Sequence, residues 1–424
     1  MNHWKETAEI LSRLAELGAA GRRAALATVV DIVGSAYRRP GAKFLIEDTG
    51  STLGSVSGGC LEADVREVAN AVVESGRPSL RHYNTGDEDV VWGLGLGCNG
   101  LVDVFVQPAT EGPLAALAGP LRELFAGDGP VVLATVVGDG AAATAAIDAP
   151  PASDAPPATL AIHAAAAVDA VAAVEVGAVL AIACDARETA GESPAAREGR
   201  PAGAGVHGSL GSPELDRQVV EQARALAAAG RSGVHAIGGR RVFVEALPPP
   251  PHLLVCGGGD DARPLVAYAA DVGFRVTVLD HRPALLAPEW FPRALRRVVA
   301  RPEDPELALP PPARTLAVVK THSLAHDREW VRRLLAAGLP YIGVLGPRAR
   351  TEAILRDVEA AAGGPLARGE EAGERERVFG PVGLDLGADG PAQVAISIVA
   401  ELLAFHAGRE PRHLSVLREA IHAS

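Results

Sequence analysis

Two cysteines sit where a thiol can do chemistry. Cys60 lies in the stretch Ser57–Glu62, behind the glycine pair Gly58 and Gly59 and ahead of an amphipathic run. That order predicts a turn opening a helix. A thiolate at a helix N-terminus is stabilised by the dipole and by free N–H groups, so Cys60 is a candidate nucleophile or metal ligand. Gly58 and Gly59 leave room for a bulky ligand to approach the backbone. Cys98 lies in the most glycine-dense stretch, with Gly93, Gly95, Gly97 and Gly100 around it. Neither cysteine has a His or Cys at zinc-ligand spacing, so a zinc site is not expected.

A third pattern lies further on. The apolar run His252–Cys256 is followed by Gly257, Gly259 and Ala262, and Asp280 closes the next apolar run. Strand, glycine turn, helix and terminal acid form a dinucleotide-binding fingerprint. The glycines allow a tight turn and close approach of a pyrophosphate, and the acid accepts the ribose hydroxyls. Asp260 and Asp261 work against it, since they place negative charge beside the phosphate position. Lys320, Thr321 and His322 end a later apolar run, as do Gly346, Pro347 and Arg348. Both fall at the carboxyl edge of a parallel sheet, where ligands bind. His322 is a candidate acid/base and Arg348 a candidate anion-holding group. His326 is expected at the start of the next helix, in solvent.

The elements that must position these groups follow from a repeat. Gly54–Gly76 aligns without gaps on Gly208–Gly230, with eight of 23 positions identical. Similar strands precede the copies, at Ala25–Val30 and Val132–Val137, and others follow them, at Leu101–Val106 and Arg241–Glu245. This predicts a duplicated αβ unit whose copies pack together. Cys60 is matched by Glu214, and Gly58-Gly59 by Ser212-Pro213, so the first copy carries the candidate chemistry. Segments 141–157 and 185–204 are rich in Ala, Pro, Gly and Asp and read as loops. Four prolines at 248–251 form a stiff linker.

Beyond it, strands are predicted at 252–256, 275–280, 297–300, 315–320 and 341–345. Helices are predicted at 262–272, 326–337, 349–361 and 391–406, and 366–377 as a charged loop. That alternation implies a parallel sheet with helices on both faces. The expected fold is α/β: a duplicated N-terminal αβ domain followed by a C-terminal Rossmann-like domain. The expected boundaries are 1–110 with Cys60 and Cys98, 111–250 for the diverged copy, and 251–424.

Composition narrows the function classes. The net charge of −12 argues against a nucleic-acid partner, which needs a basic face. The first 18 residues read as an amphipathic helix and not a signal peptide. The most apolar stretch, 164–184, is broken by Asp169 and Glu175, so no membrane span is expected. The expected location is cytoplasmic. Four widely spaced cysteines read as free thiols, with Cys184 and Cys256 in the core.

Several of these motifs together resemble one family. They are Gly34-Ser35, Arg38–Ala42, Ser57–Val65 and Gly95–Gly100, then Gly257–Leu265 and Val276–Pro283. Thr321-His322, Tyr341–Arg348 and Pro381–Gly387 continue the match. The chain is similar to the XdhC/CoxI family, the xanthine dehydrogenase accessory factors. The resemblance implies a maturation factor that holds the molybdenum cofactor (molybdopterin). It implies two partners, a cysteine desulfurase that sulfurates the cofactor and a molybdenum hydroxylase apo-enzyme that receives it. It also implies that Cys60 and Cys98 hold the cofactor, with Cys98 the candidate ligand to molybdenum. The residues suit an anionic pterin phosphate with a thiophilic metal. On this reading the chain is an accessory factor and not an enzyme, and a homodimer is open to it. The competing reading is an NAD(P)-dependent oxidoreductase on the same scaffold, with Gly257, Gly259 and Asp280 binding NAD(P) and His322 donating a proton. A third reading is an assembly partner that uses its surfaces alone.

Overall fold

Alternation along two strands decides the architecture of the N-terminal half. A computed structural model of the chain describes residues 2–34, 36–84, 100–139, 175–184, 205–361 and 373–416. It divides into two units, His3–Pro249 and Pro250–Ser424. The first copy in the N-terminal unit runs α1 (Asn2–Ala19), β1 (Ala24–Gly34), β2 (Lys43–Glu47), β3 (Thr52–Gly54), α2 (Glu62–Ser75), β4 (Ser79–Asn84) and β5 (Gly100–Pro108). The second runs α3 (Gly112–Ala126), β6 (Val131–Asp139), β7 (Val179–Ala183), β8 (Val206–Gly208), α4 (Pro213–Ala229), β9 (Gly233–Ile237) and β10 (Arg240–Leu247). The sheets have the same order, β3-β2-β1-β5-β4 and β8-β7-β6-β10-β9, and all their pairings are antiparallel.

Ala25, Ala27 and Val29 of β1 pack under α2 with Val65, Val68 and Val72. Leu26 faces the other way, into a core shared with Leu133 of β6 and with α1 and α3. In β6, Val132, Ala134 and Val136 face α4. Each sheet thus buries one face under its own helix and the other against its duplicate. The repeat is larger than the sequence expectation of strand, turn, helix and strand. Strands β2 and β7 are buried at nearly every position, so they lack the alternation that marks a strand. The predicted loops 141–157 and 185–204 lie outside the described residues.

The C-terminal unit runs β11 (His252–Cys256), α5 (Ala262–Asp271), β12 (Arg275–Asp280), β13 (Arg296–Val299), β14 (Thr315–Val319), α6 (Leu324–Ala336), β15 (Tyr341–Val344), α7 (Arg348–Ala361), β16 (Val378–Phe379) and α8 (Pro391–His406). Its parallel sheet has the order β13-β12-β11-β14-β15-β16. Numbered within the unit this is 3-2-1-4-5-6, the doubly wound Rossmann order. Leu253 and Val255 of β11 face the layer of α5 and α8, and Leu254 and Cys256 face that of α6 and α7. Proline-rich segments with single 3-10 turns replace helices around β13. Helix α6 starts two residues before its predicted position, because Ser323 caps it by accepting from the His326 N–H. Among the described residues no helix is long and apolar enough to cross a membrane.

Candidate functional site

The carboxyl edge of the Rossmann sheet gathers most of the charged groups the sequence singles out. Gly257 has φ +121°, and a Cβ there would lie 2.5 Å from the Lys320 carbonyl oxygen. A Cβ on Gly258 would meet the Leu285 carbonyl at 3.0 Å. Close packing of the chain on itself therefore already requires glycine at these two positions. Ala262 is fully buried where α5 enters the sheet layer.

Asp260 and Asp261, which sequence reasoning set against an anion, are both neutralised. Asp260 pairs with Arg263 at 2.9 Å. Asp261 lies 2.6 Å from Lys320 Nζ and 3.1 Å from His322 Nε2. Burial disfavours the Asp261 charge, but Lys320 and His322 outweigh it and hold the carboxyl below its usual range. Burial pushes the Lys320 ammonium down against the pull of Asp261. His322 has φ +62°, the one non-glycine residue among the described residues in the left-handed region. Such strain persists only where neighbours impose it. Thr321 donates to Asp327 Oδ1 through its N–H at 3.0 Å and its hydroxyl at 2.6 Å. Arg350 closes the other side of Asp327, with Nη2 donating to Oδ2 at 2.6 Å. Asp327 and Arg350 thereby position the turn that carries His322.

Asp280 is buried at the end of β12. It accepts from Gly258 N at 2.8 Å, and from Arg282 N, Nε and Nη2 at 2.9 Å each. Burial opposes its charge, but the Arg282 and Gly258 hydrogen bonds outweigh burial and hold the carboxyl at about 2. The His281 ring lies edge-on to that of His326, with centroids 4.8 Å apart. His326 is thus in the third position of its helix and packed on a neighbour, where the sequence expected a solvated first residue. Arg348 is exposed at the first position of α7. The arginine built into the edge is Arg350, two residues on. Sequence reasoning missed Asp327, Arg350 and the Lys320–Asp261 pair. The only local signal was an acid in the first turn after a Ser cap.

In the N-terminal unit, Cys60 is a free, half-buried thiol. It sits two residues before the first helical residue of α2, with Leu61 in the capping position, and so precedes the helix it was expected to open. The turn is held by Ser57 and Glu62. Ser57 N–H donates to Glu62 Oε1 at 2.9 Å, and the Ser57 hydroxyl donates to Glu62 Oε2. The same hydroxyl accepts from Gly59 N at 3.2 Å and Leu61 N at 3.0 Å. Burial opposes the Glu62 charge, yet these hydrogen bonds outweigh it and keep the carboxyl below its usual range. A Cβ on Gly59, at φ +112°, would meet nothing within 4 Å among the described residues, whereas one on Gly58 would lie 3.7 Å from the Tyr37 ring. The second copy holds its turn in the same way, with Ser209 on Asp216 at 2.8 Å. There the counterpart of Cys60, Glu214, is an exposed partner of Arg217. Cys98 and Gly97 lie outside the described residues.

Removing a capping interaction typically costs about 1 kcal/mol. Glu62→Ala is therefore expected to lower the urea midpoint of the N-terminal unit by that equivalent, and an unchanged midpoint would show the turn to be held by other groups.

The two units define the class: a paired αβ unit joined to a doubly wound Rossmann unit, with a thiol on one and an acid/base cluster on the other. Residues 17–84 match the model of the XdhC and CoxI family, and residues 253–402 match that of the XdhC Rossmann domain. The chain belongs to the XdhC and CoxI family. It is 27% identical over 381 residues to a Bacillus subtilis protein named as a probable xanthine dehydrogenase subunit, covering 90% of this chain and 92% of that one. It is 26% identical over 214 residues to the uncharacterized protein YqeB of Escherichia coli, covering 47% of this chain and 38% of that protein. A solved structure described as a xanthine dehydrogenase from Bacillus halodurans shares the fold, with TM-score 0.65 and 24% identity over 97% of this chain and 98% of that one.

Proposed function

We propose that this chain is an accessory factor for a xanthine dehydrogenase-type molybdenum enzyme, holding the molybdenum cofactor and handing it to the apo-enzyme. The observation that carries the reading is the near end-to-end match to a relative named for xanthine dehydrogenase. The Cys60 turn fits such a group. Its thiol is free and half-buried, and among the described residues nothing stands against the adjoining backbone at Gly59 on one side. Bound there, the cofactor supplies a thiophilic metal centre and an anionic pterin phosphate. Cys60 holds the centre through sulfur, with Cys98 as the molybdenum ligand expected from sequence and Gly58, Gly59 and Gly97 giving backbone access. A cysteine desulfurase is the partner that sulfurates the cofactor, the site of action is the cytoplasm, and the factor works as a homodimer.

The test is direct. Purified protein is loaded with molybdenum cofactor, desalted and assayed for molybdenum and pterin. Cys60→Ala and Cys98→Ala are each expected to retain at least about tenfold less, a loss of ~1.4 kcal/mol or more in affinity. Retention at the wild-type level by both variants overturns the reading.

A second reading concerns the Rossmann unit alone, as a dinucleotide site for NAD(P) with the His322–Asp261 pair handling a proton. The neutralisation of Asp260 and Asp261 favours it, because the glycine turn then no longer repels a pyrophosphate.

A further inference from the structure

We infer that Arg282 makes the ribose subsite of the Rossmann unit select a dinucleotide bearing a 2′-phosphate over one with a free ribose diol. This rests on the dinucleotide reading of that unit and deepens it.

A carboxylate has about four lone-pair sites. At Asp280 all four are taken: one by the Gly258 N–H and three by the N–H, Nε and Nη2 of Arg282. In a Rossmann fold this acid is the group that would accept the two ribose hydroxyls. A free diol has no acceptor here unless the guanidinium leaves. Leaving breaks two charge-assisted hydrogen bonds on a carboxylate whose residue is 5% exposed.

A phosphate meets a different surface. A guanidinium carries five N–H donors, and two are spent on Asp280. Among the described residues the remaining three have no partner, and the Arg282 side chain is 48% exposed. A 2′-phosphate therefore joins the standing ion pair without breaking it, and the Arg282 charge cancels that of Asp280 toward the incoming anion. His281, with Nδ1 3.4 Å from Asp280 Oδ1, adds a second donor-bearing ring to the same side. The motif alone, an acid ending the second strand, points to the plain diol. The geometry around that acid reverses the preference.

The experiment titrates the full-length protein with NADPH and with NADH, followed by nucleotide fluorescence, for wild type, Arg282→Ala and Arg282→Lys. Circular dichroism confirms that each variant is folded. The wild type is expected to bind NADPH at least about tenfold more tightly than NADH. Arg282→Ala loses that margin from both sides, weakening NADPH and tightening NADH as Asp280 becomes free. Arg282→Lys, a point charge without the planar fork, falls between them. Equal affinity of the wild type for the two nucleotides, or an unchanged preference in Arg282→Ala, overturns the inference while leaving dinucleotide binding in place. Failure of all three proteins to bind either nucleotide removes dinucleotide binding as well.

Discussion

Lys43→Met is expected to destabilise the N-terminal unit by about 3–5 kcal/mol, and adding Glu245→Leu to recover most of the loss. Lys43 stands on β2 of the first copy and Glu245 on β10 of the second. Their charged atoms are 2.5 Å apart, with the side chains 4% and 3% exposed. Lys43 Nζ also donates to the Gly41 carbonyl at 3.0 Å. Burial drives the Glu245 carboxyl upward and Lys43 pulls it back. The pair lines a cavity of about 30 Å³ between the two sheets, with Thr28, Gln107 and Thr135. Pseudosymmetry explains why one lysine suffices. In the β1–β5 pairing Gln107 faces Leu26, and in the β6–β10 pairing Glu245 faces Leu133. The equivalent positions thus hold one neutral amide and one acid. Removing Lys43 alone strands a buried carboxylate, whereas removing both leaves no unpaired charge between the sheets. Urea unfolding of the N-terminal transition reads both states. A single variant at the wild-type midpoint, or a double variant no better than the single, would sink the argument.

Gly257→Ala is the second large effect, expected to cost the C-terminal unit about 3–5 kcal/mol. A side chain at a strongly positive φ costs of order 1–3 kcal/mol, and overpacking adds about 1–3 kcal/mol. The new Cβ would press on backbone, 2.5 Å from the Lys320 carbonyl oxygen and 3.0 Å from Thr321 Cα, and neither can rotate away. Relief requires the 320–322 segment to move, which opens the Lys320–Asp261 pair and the His322 contact together. The transition of that unit is expected to fall by about 10 °C in a calorimetric scan. A shift within about 2 °C would mean that the turn adapts.

The two units were legible to different degrees. In the Rossmann unit the strands are short apolar runs ended by glycine, Asp or Lys, so β11 and β12 lie where sequence predicts and β13 is displaced by one residue. In the N-terminal unit the repeat was legible because α2 and α4 share spacing, while β2 and β7 were not. They are buried on both faces, and β2 does so although it carries Lys43. The site divides along the same line. Gly257 and Asp280 were named because they fit a strand–turn–helix fingerprint, and His322 because it ends an apolar run at the carboxyl edge. Asp327 and Arg350, which hold the His322 turn, were not, because a partner brought in by the fold leaves no local period. The pairing of Asp261 with Lys320, distant in sequence, was hidden for the same reason. Asp280 was read as a free acceptor, and only the folded chain shows Arg282 already occupying it.

The most direct test of the proposed role is a maturation measurement. A xanthine dehydrogenase-type apo-enzyme is produced with the wild-type chain, with the Cys60→Ala/Cys98→Ala double variant, or without the chain, and its molybdenum content and turnover are measured. An accessory factor predicts high occupancy only with the wild-type chain, and a fall of at least about tenfold in the other two. Equal molybdenum content and turnover in all three would contradict it.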